Sequence, residues 1–301
     1  MKVFTTNGTG WIGSHVVPIL LAKGYEVTAL ARSEESAKKL EAQGVTVLRG
    51  DLQDTEVLSK GASEADAVLH LAYNHDFTKY GKESAELDFA AIKALAGPLE
   101  GTDKPLVITT AVGTPRTPRP LETEQAVDDI TNPRGRAELV AAAYATKRVR
   151  VINMRLPYSV HGDNDPGFIT LIVQAAKKHG FSAYIGEGTN LWSAVHVDDA
   201  AKLFLAAIET PADKFPSNPT SLHGVGDEGI PTREIAKTIG DKLGFETKSI
   251  PQSDAISHFG FVGAMFATGS NPSRALTTEW TGWEPRGKGL LEDIKTGTYI
   301  Q

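Results

Sequence analysis

The sequence contains no cysteine, which excludes disulfides, thiolate metal sites and a cysteine nucleophile. It also has no long basic run, and its net charge of −6 provides no electrostatic footprint for nucleic acid or an anionic membrane surface. No stretch approaches the roughly 18 uninterrupted apolar residues of a membrane span, and the opening residues enter a strand pattern without a charged leader, so a cytoplasmic location is expected. Among the eight histidines there is no His-Glu-x-x-His or comparable ligand spacing, no carboxylate run matches a calcium loop, and no metal is expected. A Gly-x-Ser-x-Gly elbow is absent too, which removes the obvious serine-hydrolase route.

What is present is an alternation. β-rich runs at residues 3–6, 27–31, 45–48, 67–71, 106–110 and 149–154 are each followed by a segment of period near 3.6 or a turn cluster. Parallel strands need crossovers, so this rhythm predicts an α/β fold, a doubly wound parallel sheet (Rossmann) with helices on both faces. After Met154 the loops lengthen, helical patterns at 168–179 and 232–243 predominate, and short strands are suggested near 184–185 and 222–225. This divides the 301 residues into a dinucleotide-binding unit, 1–155, and a smaller, mostly helical substrate-binding part, 156–301, interleaved with the sheet. The proline-bearing segment 113–120 reads as an extended loop stiffened by proline, with a Pro-x-x-Pro ligand for another protein as the alternative.

The strongest chemical signal is Gly8-Thr9-Gly10-Trp11-Ile12-Gly13, set between the first strand and a helical pattern. Glycines there permit a tight turn, let backbone N–H groups approach a pyrophosphate, and let helix and strand pack closely, while the helix N-terminus offers its positive dipole end. Pro18 removes one donor inside that helix and is expected to kink it. About 20 residues on, where an NAD site places an acid for the ribose 2′-hydroxyl, the chain reads Ala31-Arg32-Ser33. Arg32 suits a 2′-phosphate and Ser33 adds a hydroxyl, so NADP(H) is expected over NAD(H); the competing structural reading makes Ser33 a helix cap.

With these motifs the chain resembles the extended and atypical short-chain dehydrogenases/reductases, the NAD-dependent epimerase/dehydratase type, over nearly its whole length. The family's Thr-Gly-x-x-Gly-x-x-Gly loop corresponds to 6–13, with Asn7 in the first glycine place, a residue that tolerates positive φ. The resemblance implies that Asp51 and Leu52 edge the adenine, that Leu71, Ala72 and Tyr73 run under the cofactor behind a buried structural His70, and that Pro157, in the segment 155–162, flanks the nicotinamide. Residues 195–200 resemble a later family signature. The departure lies in the chemistry: family reductases use a tyrosine acid/base with a lysine four residues later, and none of the seven tyrosines here has one. Aligning Glu138 with the acid that often follows that lysine puts Arg134 in the lysine place and Ile130 in the tyrosine place. The catalytic candidates are then Thr110 to polarise a carbonyl, Arg134 to hold the ribose or to pair with Glu138 on the surface, and Tyr158 or His75 as proton donor, with Tyr73 and His161 competing.

The expected function is hydride transfer from NADPH to the carbonyl of a small aldehyde or ketone by a monomer or homodimer. The alternatives are a nucleotide-sugar epimerase or dehydratase, and a regulator that senses NADP(H) without chemistry.

Overall fold

The computed structural model describes residues 1–74, 82–113, 121–126 and 132–300. Strands and helices alternate through the first half: β1 (Lys2–Thr6), α1 (Gly13–Ala22), β2 (Glu26–Ala31), α2 (Glu34–Glu41), β3 (Thr46–Arg49), α3 (Thr55–Ser63), β4 (Ala67–His70), α4 (Lys82–Ala96), β5 (Pro105–Ala111), α5 (Pro133–Ala145) and β6 (Arg150–Leu156). The second half carries β7 (Ser159–His161), α6 (Phe168–His179), β8 (Ser182–Ile185), β9 (Leu191–His196), α7 (Val197–Glu209), β10 (Thr220–His223), β11 (Asp227–Pro231), α8 (Thr232–Leu243) and β12 (Thr247–Ile250), then four short helices, α9 (Ala255–Phe259), α10 (Val262–Thr268), α11 (Ala275–Thr281) and α12 (Leu290–Thr296).

Seven parallel strands form the main sheet in the order β10-β6-β5-β4-β1-β2-β3. The order reverses between β1 and β4, which opens a crevice beyond their C-terminal ends, where doubly wound sheets bind ligands. Burial on both faces explains the near-continuous apolar runs: β4 is buried at every residue and β1 at all but the first. One face packs Val16, Val17 and Leu20 of α1 and Phe204 of α7; the other packs Leu58 of α3, Ile92 and Leu95 of α4, and Ala137 and Ala141 of α5. α1 runs unbroken through Pro18, which is solvent-exposed; the helical bond to the Ser14 carbonyl is the one this residue removes.

The chain returns from its second half to complete this sheet, because β10 pairs with β6 and α7 packs on α1. The rest of that half surrounds its own core of Ile172, Trp192, Ile235 and Phe266. It also holds a three-stranded sheet, β11-β9-β7, and a two-stranded one, β12-β8. The patterns at 168–179 and 232–243 are helices with those bounds, each ended by a left-handed glycine, Gly180 and Gly244. β7, β9, β11 and β12 carry no separate signal in the sequence, being short segments whose pairing is settled by partners distant in the chain.

α5 is anchored through a buried ion pair. Glu138 accepts from Arg155 Nε at 2.8 Å and from its Nη2 at 2.6 Å, and Thr110 donates to the same carboxylate at 2.8 Å. Removing one partner strands the other charge in the interior. Arg155→Met should therefore lower unfolding free energy by about 3–5 kcal/mol in urea titrations, and the double variant Glu138→Leu/Arg155→Met should cost less than either single change. A loss under about 1 kcal/mol for Arg155→Met would show that the pair does not anchor the helix.

Candidate functional site

The crevice at the switch point is a cleft of about 680 Å³ lined by the phosphate loop, the ends of β2 and β3, and the residues after β4. Asn7 ends β1 in a left-handed conformation, φ 61°, as the resemblance requires of the residue in the first glycine place. Its carbonyl accepts from Gly10 N–H at 3.0 Å, closing the turn. A Cβ on Gly13 would run into that carbonyl oxygen and the Gly8 backbone, whereas one on Gly10 would meet the Asn7 side chain, which has freedom to move. Gly8 is a packing position, its added methyl lying 3.1 Å from Leu40 and 3.2 Å from Ala29. Ile12 at the α1 N-cap supplies no side-chain cap; the N–H groups of Ser14, His15 and Val16 donate to the Gly10 and Ile12 carbonyls, which leaves the amides ahead of them, up to Gly13, for an anion at the helix end. This cradle of small residues at an uncapped helix end fits a dinucleotide diphosphate.

Asn7, Thr9 and Gly10 line the cleft, with Arg32, Asp51, Leu52, Ala72 and Tyr73 from the predicted set and Ser36, Gln53, Asn74 and Leu87 from outside it. Several predicted contacts lie elsewhere. Ser33 is the N-cap of α2, its Oγ accepting from Ser36 N–H at 3.1 Å, and Ser36 is the hydroxyl beside Arg32. The Trp11 indole donates to the Val160 carbonyl at 2.7 Å and Ile12 packs on the core, so both seat α1 against the rest of the chain. Leu71 and Pro157 are buried and do not line the cleft; Leu71 takes part through its N–H.

Behind the cleft runs a hydrogen-bonded chain. Thr6 Oγ accepts from the N–H groups of Leu71 and Ala72, both at 3.0 Å, and lies 2.9 Å from His70 Nδ1. With its lone pairs so used, the hydroxyl donates to His70 Nδ1, which leaves the histidine proton on Nε2, directed at Asp88 3.1 Å away. Asp88 in turn holds Arg134 at 3.4 Å. The Arg134 guanidinium also donates to the Thr109 carbonyl and stands over the Tyr73 ring, 4.2 Å from its centroid. His70 is thus the buried structural histidine expected. Asp88 is the member that sequence reasoning missed; its sole signal is α-spacing with Ser84 and Ile92 on a helix that also carries Glu83 and Glu86.

The chemistry assigned to the other candidates is corrected by their partners. Glu138 is buried against Arg155, so the surface pair with Arg134 does not form. The Thr110 hydroxyl is buried and gives its proton to Glu138, which takes it away from a substrate carbonyl. Tyr158 donates to the Gly269 carbonyl at 3.3 Å and packs on Trp192. His161 is fully buried with Nδ1 2.8 Å from Asp293, and neither is placed as a proton donor at the cleft. His75, Ile130 and the proline segment from 114 to 120 lie outside the described residues. Among the described residues no group of three or more histidines and carboxylates is placed to hold a metal ion, and no helix is long and apolar enough to cross a membrane.

Because the obstacle at Gly13 is backbone, Gly13→Ala should cost about 1–3 kcal/mol of stability and abolish dinucleotide-dependent stabilisation in thermal denaturation. Gly8→Ala, facing side chains, should retain binding. Dinucleotide binding by Gly13→Ala equal to that of the parent protein would refute the cradle.

Residues 8–188 match the family described as NAD(P)H-binding. The chain is 40% identical over 299 residues to an uncharacterized protein of Saccharomyces cerevisiae, covering 98% of each chain. It is 38% identical over 301 residues to an uncharacterized protein of Schizosaccharomyces pombe, covering 100% of each. Among solved structures, the UDP-glucose 4-epimerase of Thermus thermophilus in complex with NAD superposes with a TM-score of 0.71 at 20% identity, over 98% of this chain and 97% of that one. Such a likeness establishes the fold, a doubly wound parallel sheet shared with that epimerase. With the phosphate cradle and the family match together, the chain belongs to the NAD(P)H-binding family, whose members are oxidoreductases, epimerases and dehydratases that use nicotinamide cofactors.

Proposed function

We propose that the protein is an NADP(H)-dependent oxidoreductase that reduces the carbonyl of a small aldehyde or ketone. The observation that carries this reading is the placement of Arg134, held by Asp88 and the Thr109 carbonyl over the ring of Tyr73, a residue of the cleft lining. When bound, the reduced dinucleotide supplies a hydride. The Gly8–Gly13 loop and the α1 N-terminus hold the diphosphate, and Asp51 and Leu52 edge the adenine. Arg32 and Ser36 sit where the adenosine ribose carries its 2′ substituent; among the described residues lining the cleft, the one carboxylate is Asp51, at the end of β3. An arginine there, with no acid at the C-terminal end of β2, favours a 2′-phosphate.

A guanidinium has five N–H donors, and two of those on Arg134 are used within the protein. The remaining donors hold a ribose hydroxyl and polarise the substrate oxygen, the two tasks that the family divides between lysine and tyrosine. An arginine does not give up a proton at physiological pH, so the proton reaches the developing alkoxide from water in the open cleft. The Thr6–His70–Asp88 chain fixes the guanidinium and so pre-orients it.

NADPH consumption over a panel of small aldehydes and ketones tests the reaction, with Arg134→Met expected to lower kcat/KM by about 100-fold, the size of losing one oxyanion donor. Tight cofactor binding with no turnover of any carbonyl would overturn the reductase reading in favour of a cofactor-sensing role. Arg32→Ala should weaken NADPH by about 10- to 100-fold, the weight of a charged hydrogen bond, and leave NADH unchanged, as read by equilibrium fluorescence titration. An equal fall for both dinucleotides would overturn the preference.

A further inference from the structure

A second cleft, of about 480 Å³, opens against α5 and, among the described residues, shares no lining residue with the dinucleotide groove. Its floor is the sheet edge, where Asn153 and Arg155 of β6 lie beside Thr220 and Ser221 of β10. Glu124, Leu139 and Trp280 complete the walls. The volume is within the range of small-molecule sites, and the proposed reduction uses none of its residues.

The polar groups in its wall are unevenly satisfied. Arg155 and Glu138 neutralise each other, and the remaining Arg155 nitrogen donates to the Ala126 carbonyl at 2.9 Å. Glu124 is 3% exposed; one oxygen accepts from Thr277 N–H at 2.7 Å, while Oε2 has no partner among the described residues. Asn153, also 3% exposed, donates to Ser221 Oγ at 3.2 Å and leaves Oδ1 unpartnered. Buried acceptors left empty are costly, and a carboxylate facing no cation is more so. The unmet demand is for hydrogen-bond donors and one positive charge. Among the described residues of the cleft an anion finds no free guanidinium, and a neutral molecule fills the acceptors without balancing Glu124.

We propose that this cleft binds a small protonated amine that also carries hydroxyl groups, its ammonium on Glu124 and its hydroxyls on Asn153 and Ser221. Calorimetric titration of the full chain in phosphate buffer, with glucosamine and ethanolamine set against glucose, tests it. Saturable binding of at least one amine is expected, with glucose weaker by about tenfold or more, the weight of one charged contact. Glu124→Gln keeps an acceptor for Thr277 and should erase the advantage of the amine while leaving NADP+ binding intact. Should that variant fail to fold, Leu139→Trp, at a half-exposed position in the cleft wall, should block the amine by filling the space. Absence of saturable amine binding, equal binding of amine and glucose, or amine binding unchanged in the folded variants would overturn the assignment.

Discussion

The carbonyl oxygen of Asn7 sets the geometry on which the cofactor cleft depends. It lies so near Gly13 that no side chain fits between them, and it closes the turn by accepting from Gly10. That contact brings the N-terminus of α1 against the C-terminal end of β1, at the place where the strand order reverses. Diphosphate recognition through backbone N–H groups needs this close approach, because dipoles at a helix end act within its first turn. The chain meets the requirement with asparagine where the family has glycine: φ of 61° is within reach of an asparagine, and its side chain folds over Gly10.

From the same strand end a second device reaches toward the reacting centre. Thr6 ties β1 to the residues after β4, and through His70 and Asp88 it connects the phosphate loop with Arg134 on α5. Every member of this chain except Arg134 is buried, where hydrogen bonds are stronger and an unpaired group is costly. The guanidinium is therefore held in place against Tyr73 of the cleft lining and is not a solvated surface arginine. α5 serves two sides at once: Arg134 in its first turn stands over Tyr73 of the cofactor cleft, and Glu138 one turn later faces Arg155 on β6.

The phosphate loop, the order of elements in the first half and the edge residues Arg32, Asp51 and Tyr73 were legible in the sequence, because each is encoded locally. A glycine pattern between strand and helix carries its own geometry, and strands buried on both faces announce themselves as apolar runs. The assignments that moved were those decided by a partner. Thr110 became a donor to Glu138, Ser33 a helix cap beside Ser36, Trp11 a tether to Val160, and His161 a mate of Asp293. Each has the composition of a site residue, and each spends its polar group on a neighbour between 3 and 149 positions away.

Sequence alone determined that this is a doubly wound dinucleotide-binding protein without a tyrosine followed four residues later by a lysine, because period, glycine spacing and the identity of single residues are properties of the chain itself. Tertiary structure decided which polar groups remain available for chemistry. It brought Asp88 to Arg134, buried Glu138 with Arg155, returned β10 to the edge of the first sheet and left Glu124 and Asn153 with unfilled acceptors. The reason is physical: a hydrogen bond or an ion pair depends on distances that close when elements remote in sequence pack together, and no local pattern records them.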